Sequence, residues 1–520
     1  MRKMGLVIFV CAAFAAASWG QVITGTVSGT VRDSSGAVLP GVAIEVKNTN
    51  TGVGRTLTTD ERGYYVASNL SLGDYEVSAS LPGFQTEVRR GFSVNVGQTA
   101  VIDFSLSVGA VTELIEVSAE APLVETTNAV VTGLVTERQV QDLPLNNRSL
   151  IELAPLQAGI VVAATTSPGA SKGMGTKLAI SGTRYNSNLF QVDGASINDL
   201  AGAAGSASNN LMGAETIKEF SIVINGYSAE YGNHSGGVFN AVTKSGTNAL
   251  HGSLFEFIRN DNLDAARWED NKNGKEKPEF KRNQFGGSLG GPISRDRTFF
   301  FGSYEGLREN IGDVATFNVP GVELRRGDIQ TLDANGNFVF ARHRDVVPEV
   351  QPYLNFYPLP SPNGLRKDGG TQELYQTIQK PAREDYSATR IDHKISDKDS
   401  IFGRYTFSSA YRVDSVDLVA TNYNRSRNQS ATIGHTRIIS PRMVNQMLLS
   451  FARNNLTDAD AVIHDDVLPR LPSTYKFTSF PTTIGAFSVQ NLTLTGIGNE
   501  GARNYLNNVF QFKDDASYAS

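Results

Sequence analysis

Cysteine is almost missing from this 520-residue chain: Cys11 is the sole example, and it lies in an apolar run at the extreme N-terminus. If that run is removed as a leader, no disulfide, thiolate metal site or cysteine nucleophile is possible, and stability has to come from packing or from the surrounding solvent. Histidine is equally sparse, with six in all and none before His234. The clustered His and carboxylate ligands of a zinc peptidase are therefore lacking in the first two hundred residues. Basic excess is absent too, since 47 Lys and Arg face 52 Asp and Glu for a net charge of −5, which argues against a nucleic-acid partner. After the first 20 residues no stretch of 18 uninterrupted apolar residues occurs, so a membrane could be crossed only by strands.

What is present suits a large β protein. Fifty glycines, 27 phenylalanines and 17 tyrosines accompany an apolar content of 40%, too high for a disordered chain. Residues 1–20 read as a secretory signal, with Arg2 and Lys3 ahead of an alanine-rich run and Ala15, Ala16 and Ala17 offering a small-residue cleavage site. Loss of those two cations takes the net charge from −5 to −7.

From residue 21 to 107, short runs alternate apolar and polar side chains, as in Val42, Ile44 and Val46 or Ile102, Phe104 and Leu106. A period of two gives half-buried strands, and Asp33-Ser34-Ser35-Gly36, Asn50-Thr51-Gly52 and Asp60-Glu61-Arg62-Gly63 supply the turns between them. The expectation is a seven-stranded sandwich. Residues 25–33, the Leu39-Pro40-Gly41-Val42 step and Thr59-Asp60-Glu61-Arg62-Gly63-Tyr64-Tyr65 resemble the carboxypeptidase regulatory-like domain, a transthyretin-like β-sandwich appended to many exported proteins. That resemblance implies no peptidase activity.

Residues 108–120 form a linker around Glu113, Leu114, Ile115, Glu116, Val117, Ser118 and Ala119, a short β-prone stretch followed by Pro122. Residues 121–246 alternate helix, strand and turn signals, beginning with the capping-box spacing of Thr136 and Gln139 ahead of a short helix. A small α+β unit is expected. Ile180-Ser181-Gly182-Thr183-Arg184, Gln191-Val192-Asp193-Gly194 and Ala214-Glu215-Thr216-Ile217-Lys218-Glu219-Phe220 resemble the plug domain of TonB-dependent outer-membrane receptors. With Asp142-Leu143-Pro144-Leu145-Asn146-Asn147-Arg148 and the preceding sandwich, the order is most similar to the Oar-like branch of that family.

The resemblance implies that residues 247–520 are the N-terminal part of a transmembrane β-barrel, and the sequence tests this independently. Residues 280–293 with 298–308, 385–395 with 401–411 and 430–439 with 443–453 read as hairpins with very short turns, separated by long segments at 260–279, 309–384, 412–429 and 454–505. Short turns on one side and long loops on the other are the asymmetry of outer-membrane barrels. Within 401–411, Ile401, Gly403, Tyr405, Phe407 and Tyr411 make an apolar face opposite Phe402, Arg404, Thr406 and Ser408. Adding 251–259 and 507–513 gives eight strands. An eight-stranded barrel is filled by its own side chains and cannot enclose a plug, so the expectation is a partial, C-terminally truncated barrel.

By the same resemblance, residues 113–119 are a candidate Ton box, exposed to the periplasm and added as an edge strand to a TonB-type energy-transducing protein. The alternative is that they form the last strand of the sandwich or a plain linker. Arg148, Arg184 and Asp193 belong to plug motifs and are candidates for an ionic lock between plug and wall, with ordinary structural pairing as the favoured alternative. The implied function is TonB-dependent outer-membrane transport of a bulky substrate, with outer-membrane lipid around the barrel and the N-terminal domain in the periplasm. The competing reading is a surface structural or adhesion protein without transport. No cofactor, metal or catalytic residue is called for. Gly286-Gly287-Ser288-Leu289-Gly290 fits the hydrolase elbow, but Gly291-Pro292 follows where that elbow needs a helix. His464-Asp465-Asp466 and Asp392-His393-Lys394 read as ordinary neighbours on loops or strand faces.

Overall fold

The computed structural model describes residues 24–109, 114–118, 131–142, 148–163, 174–225 (209 excepted), 234–463 (267, 273–276, 336, 417, 419 and 441 excepted), 485–487, 492–493, 495–497 and 503–518. The signal segment lies outside the described residues, as do Glu113, Ala119 and the His464-Asp465-Asp466 triplet.

In the N-terminal unit, strand alternation builds two facing sheets. One pairs Tyr64–Leu70 with Gly25–Asp33, which is flanked in parallel by Thr99–Val101 and then Phe104–Leu106, two pieces of one broken strand. The other runs Gly54–Thr58, Ala43–Asn48, Gly73–Ser80, Thr86–Val94. Seven strands thus arise from residues 21–107, and an eighth comes from the linker: Leu114–Ser118 pairs in parallel with Thr86–Arg90 at the sheet edge. Val27, Ile44, Val77 and Phe104 fill the space between the sheets. Tyr65 belongs there as well, because its hydroxyl donates to the Ile102 carbonyl at 2.7 Å and leaves no buried polar tip unpaired.

The middle unit is α+β. Helix Glu137–Asp142 starts where the Thr136 backbone N–H donates to Gln139 Oε1 at 2.9 Å, the returning half of a capping box. Its sheet runs Val131–Val135, Ile217–Asn225, Val238–Thr243, Leu189–Val192, Ala195–Ser196. Val238–Thr243 is buried at every position, because one face packs on Phe190 and Phe220 and the other meets neighbouring units. Gly246 follows, at a place where a Cβ would stand 2.3 Å from the Phe300 carbonyl oxygen, so the chain can slip between plug and wall only as glycine.

The third unit is one eight-stranded antiparallel sheet in chain order: His251–Asn260, Phe280–Ser294, Thr298–Pro320, Thr371–Lys394, Asp399–Val416, Ala420–Ser440, Met443–Ile463 and Arg503–Tyr518. Among the described residues it curves around the middle unit without closing, leaving the first and last strands as edges. Two expectations need correction. The segments 309–384 and 412–429 are not loop throughout, since strand pairing continues to Pro320 with Thr371 and to Val416 with Thr421. Past the stretch of apolar alternation the arms need no apolar face, only main-chain partners. Between Pro320 and Thr371 the chain folds a small hairpin, Asp328–Leu332 with Phe338–His343, and helix Gln351–Phe356. Arg325 ties this excursion together by donating to the carbonyls of Pro320, Leu354, Tyr357 and Pro358.

The short-turn end of the wall faces the sandwich. Asn248 at that rim donates to the Asn50 carbonyl at 2.9 Å and to Asp296 at 2.7 Å, and Asn69 donates to Ser517 at 2.8 Å.

Candidate functional site

Asp193 sits at the tip of a plug hairpin, between Leu189–Val192 and Ala195–Ser196. Asp193 at φ 47° and Gly194 at φ 76° form a two-residue turn of the left-handed kind that joins tightly twisted strands. The carboxylate is fully buried, accepting from the Thr243 N–H at 3.0 Å and hydroxyl at 2.8 Å. Its other partners belong to the wall: Arg390 at 3.1 Å and Arg404 at 3.2 Å. Arg404 also donates to Ser430 and Thr432, and Arg390 pairs with Asp392 at 2.8 Å while its guanidinium stacks 4.5 Å from the Phe402 ring centre. A charge pair shielded to this degree resists separation until a competing contact forms.

A second junction involves Arg148, itself at a left-handed φ of 51°. Its guanidinium meets Glu215 at 2.7 Å and lies 4.2 Å above the Phe255 ring of the first wall strand. Burial alone would raise the Glu215 carboxyl, but the Ser253 hydroxyl, Lys244 and Arg148 more than reverse this, so it lies below its usual range. The wall returns the contact through carboxylates: Glu305 accepts from the Glu215 backbone N–H at 2.8 Å, and Glu384 accepts from Ser208, from Asn210 at 2.8 Å and from Ser408 at 2.9 Å. Arg184 is not brought to either junction. It is exposed ahead of the turn Tyr185–Ser187.

Sequence reading gives Glu215 only as part of a plug motif, with no role of its own, and misses Glu305, Glu384 and Arg390. Alternation puts Arg404 on the polar face of its strand, and that face is the one turned to the plug. The same alternation carried through Phe299, Phe301, Ser303 and Glu305 would have exposed Glu305 as an inward carboxylate.

Plug and sandwich also touch. Leu72 and Val96 of the sandwich cluster with Val242 and Leu134 of the plug, Lys218 Nζ donates to the Leu72 carbonyl at 2.8 Å, and the Val96 N–H donates to Glu219 at 2.5 Å. Beside them a cavity of about 240 Å³ opens between sandwich, plug and wall, lined in part by Tyr75, Lys218 and Arg390. Burial pushes the Glu219 carboxyl up to about 7, with Glu137 acting in the same direction and the Val96 N–H and Lys218 opposing it. Once undocked, this carboxyl returns toward its ordinary 4.5. The stabilisation is therefore complete below about 4.5 and lost as pH rises through about 7. Lys218, held below its usual range by the same burial, acts in the opposite sense. The exchange protection of the Val96 amide, corrected for intrinsic rate, should fall from pH 5 to pH 8, and Glu219→Gln should flatten that slope. Equal slopes in both proteins would remove Glu219 as the cause.

The candidate Ton box segment lies at the sandwich edge, with Thr86 opposite Leu114 and Arg90 opposite Ser118. Ser288 is in the interior of strand Phe280–Ser294, its hydroxyl 2.8 Å from that of Ser253 on the next strand, a setting with no strand-to-helix elbow.

Three family models match: the carboxypeptidase regulatory-like domain over residues 26–107, the TonB-dependent receptor plug domain over 122–238, and the outer membrane beta barrel domain over 242–520. The chain is 26% identical over 317 residues to the TonB-dependent transporter Oar of Myxococcus xanthus, a match covering 58% of this chain and 28% of that one. It thus spans well under half the length of that relative. Among solved structures, the outer membrane transporter YddB from Escherichia coli aligns with 13% identity and a TM-score of 0.45, covering 75% of this chain and 45% of that one. The siderophore receptor PirA from Acinetobacter baumannii aligns with 14% identity and a TM-score of 0.41, covering 73% and 44%. The barrel model alone takes in more than half of the residues, and with plug and sandwich ahead of it the chain belongs to the outer membrane β-barrel family as an Oar-like TonB-dependent receptor.

Proposed function

We propose that this protein moves a bulky substrate across the outer membrane by capture on the outer side, rearrangement of the plug, and strand exchange with a TonB-type protein in the periplasm. The observation that carries this reading is the junction at Asp193, where a plug hairpin is fastened to two wall arginines through buried charge. A plug meant only as filler needs apolar packing; one meant to move needs contacts that a competing interaction can replace. Capture is assigned to the long-loop end, where the excursion between Pro320 and Thr371 is held by Arg325. The energy coupling is assigned to residues 113–119. We read the chain as a transporter with no catalytic residue, in keeping with Ser288 lying mid-strand.

The test uses cells carrying the protein and a set of fluorescent glycans, peptides and chelates too bulky for passive pores. Accumulation of at least one of them should fall to background when a protonophore dissipates the inner-membrane gradient, with surface binding retained. If bound label persists but none ever accumulates, energised or not, the protein is a surface adhesin and the transport reading fails.

A further inference from the structure

The sandwich is fastened to the short-turn mouth of the wall at two separated places. At the first, its turn Asn50-Thr51-Gly52 meets the turn between the second and third wall strands. There the Asn248 backbone N–H donates to the Asn50 carbonyl at 2.9 Å, and the Asn248 side chain holds Asp296 at 2.7 Å. Gly52 rests so close to Asp296 that a Cβ added to it would overlap the carboxylate. At the second place the Asn69 side chain donates to Ser517 of the last wall strand at 2.8 Å. From the third strand to the eighth is roughly 24 Å along the curve of the sheet. A body held at both ends of that arc lies across the mouth. Between its two anchors it also meets the plug, where Lys218 donates to the Leu72 carbonyl at 2.8 Å and Leu72 and Val96 pack on Val242 and Leu134.

The cavity of about 240 Å³ beneath the sandwich shows what this bridge covers. Asp193, Thr243 and Arg390, which make the buried junction of plug and wall, line one side of it, and Arg55, Asn69 and Leu72 of the sandwich line the other. A cargo that passes the Asp193 hairpin on its way to the periplasm therefore arrives facing the sandwich. The space is smaller than the roughly 300 Å³ at the low end of pockets that hold a drug-sized molecule. A bulky cargo does not fit there while the sandwich is seated.

We infer that the sandwich is a second gate in series with the plug, and that it lifts from the rim before cargo leaves the barrel. The gate presupposes the transport proposed above and adds that release of the Asp193 junction alone does not open the path. The joint is built for release. Its rim contacts are hydrogen bonds of amides to a carbonyl, a carboxylate and a hydroxyl, each worth only about 0.5–1.5 kcal/mol net because water can replace it. Its apolar part is the small cluster around Leu72 and Val96. Joints of this polar kind between domains of one chain permit relative motion. A seat meant to be permanent would bury a broad apolar face against the rim.

The test is uptake of the same fluorescent panel by cells carrying the paired variant Asn69→Cys with Ser517→Cys, Cys11 being the only other cysteine of the chain. Closing the disulfide should cut accumulation at least tenfold, reductant should restore it, and surface binding should persist throughout. Joining the same thiols by a long flexible bis-maleimide keeps the sandwich tethered but free to lift, so accumulation should stay within twofold of the reduced protein. If this pair does not fold, Gly52→Cys with Asp296→Cys locks the other side of the mouth and carries the same expectations. Full accumulation with the disulfide closed, or a long bridge that blocks as completely as the disulfide, would overturn the gate while leaving transport standing. Failure of the transport reading has a different signature: the reduced pair and the unaltered chain then both accumulate nothing, and the gate falls with it.

Discussion

Changing Asp193 to alanine should loosen the plug from the wall by roughly 3–5 kcal/mol, the usual cost of removing one partner from a buried ion pair. The reason is asymmetry in what remains. Arg390 keeps Asp392, but Arg404, whose side chain is 1% exposed, keeps only the hydroxyls of Ser430 and Thr432 and has no other carboxylate in contact among the described residues. Asp193→Asn should cost less, because an amide oxygen can still accept from Thr243. The sharper test adds Arg404→Met to Asp193→Ala. If the penalty comes from a stranded charge, the double variant should be more stable than Asp193→Ala alone, a coupling that two independent losses could not produce. Denaturant midpoints of the detergent-solubilised chain, followed by protease cleavage within the plug, measure all three. An unchanged midpoint for Asp193→Ala would show that the hairpin is held by packing alone.

That junction marks how far the sequence could be read. Asp193 stood out because Asp-Gly after an apolar run is a turn whatever surrounds it. Its partners lie some two hundred residues later, and which wall positions meet the tip depends on the register of three hairpins and on how the sheet curves. Alternation supplied half of that information: the face of Phe402, Arg404, Thr406 and Ser408 was legible as polar, and it is buried against the plug. Arg184 had equal standing with Asp193 in the motif reading, yet it lies just outside the hairpin and faces solvent. Proximity in sequence to a conspicuous turn does not decide direction.

Strand limits failed for a related reason. Apolar alternation reports lipid on one side, so it stops where lipid stops. In 412–429, Arg412, Asn422, Asn424, Arg425 and Arg427 give no apolar face, yet the two arms pair from Arg412 with Asn424 to Val416 with Thr421. Pro381 likewise reads as a strand breaker, since it lacks an N–H for the ladder. It is nevertheless paired opposite Asn310, in the part of the wall that rises past the apolar rows. Hairpins anchored in a membrane propagate outward by register from their short turns, and propensity at the far end matters little.

Deleting residues 113–119 should reduce energised uptake to background while leaving surface binding intact, if this segment is what the TonB-type partner grips. The segment now occupies a place that makes the claim more specific. Leu114–Ser118 is hydrogen-bonded along the sandwich edge, and a strand cannot offer the same main-chain groups to two partners at once. Engagement by the partner therefore requires the segment to leave Thr86–Arg90. Cross-linking it there should block transport without removing a residue. The chain is suited to this, because its single cysteine, Cys11, lies far from the segment in sequence, in the apolar run at the extreme N-terminus. Paired changes Arg90→Cys and Ser118→Cys, at positions opposite one another in register, should abolish uptake under oxidising conditions and restore it on addition of reductant. Normal uptake with the bridge closed would mean that the segment is a permanent sandwich strand, and that the partner grips the chain elsewhere.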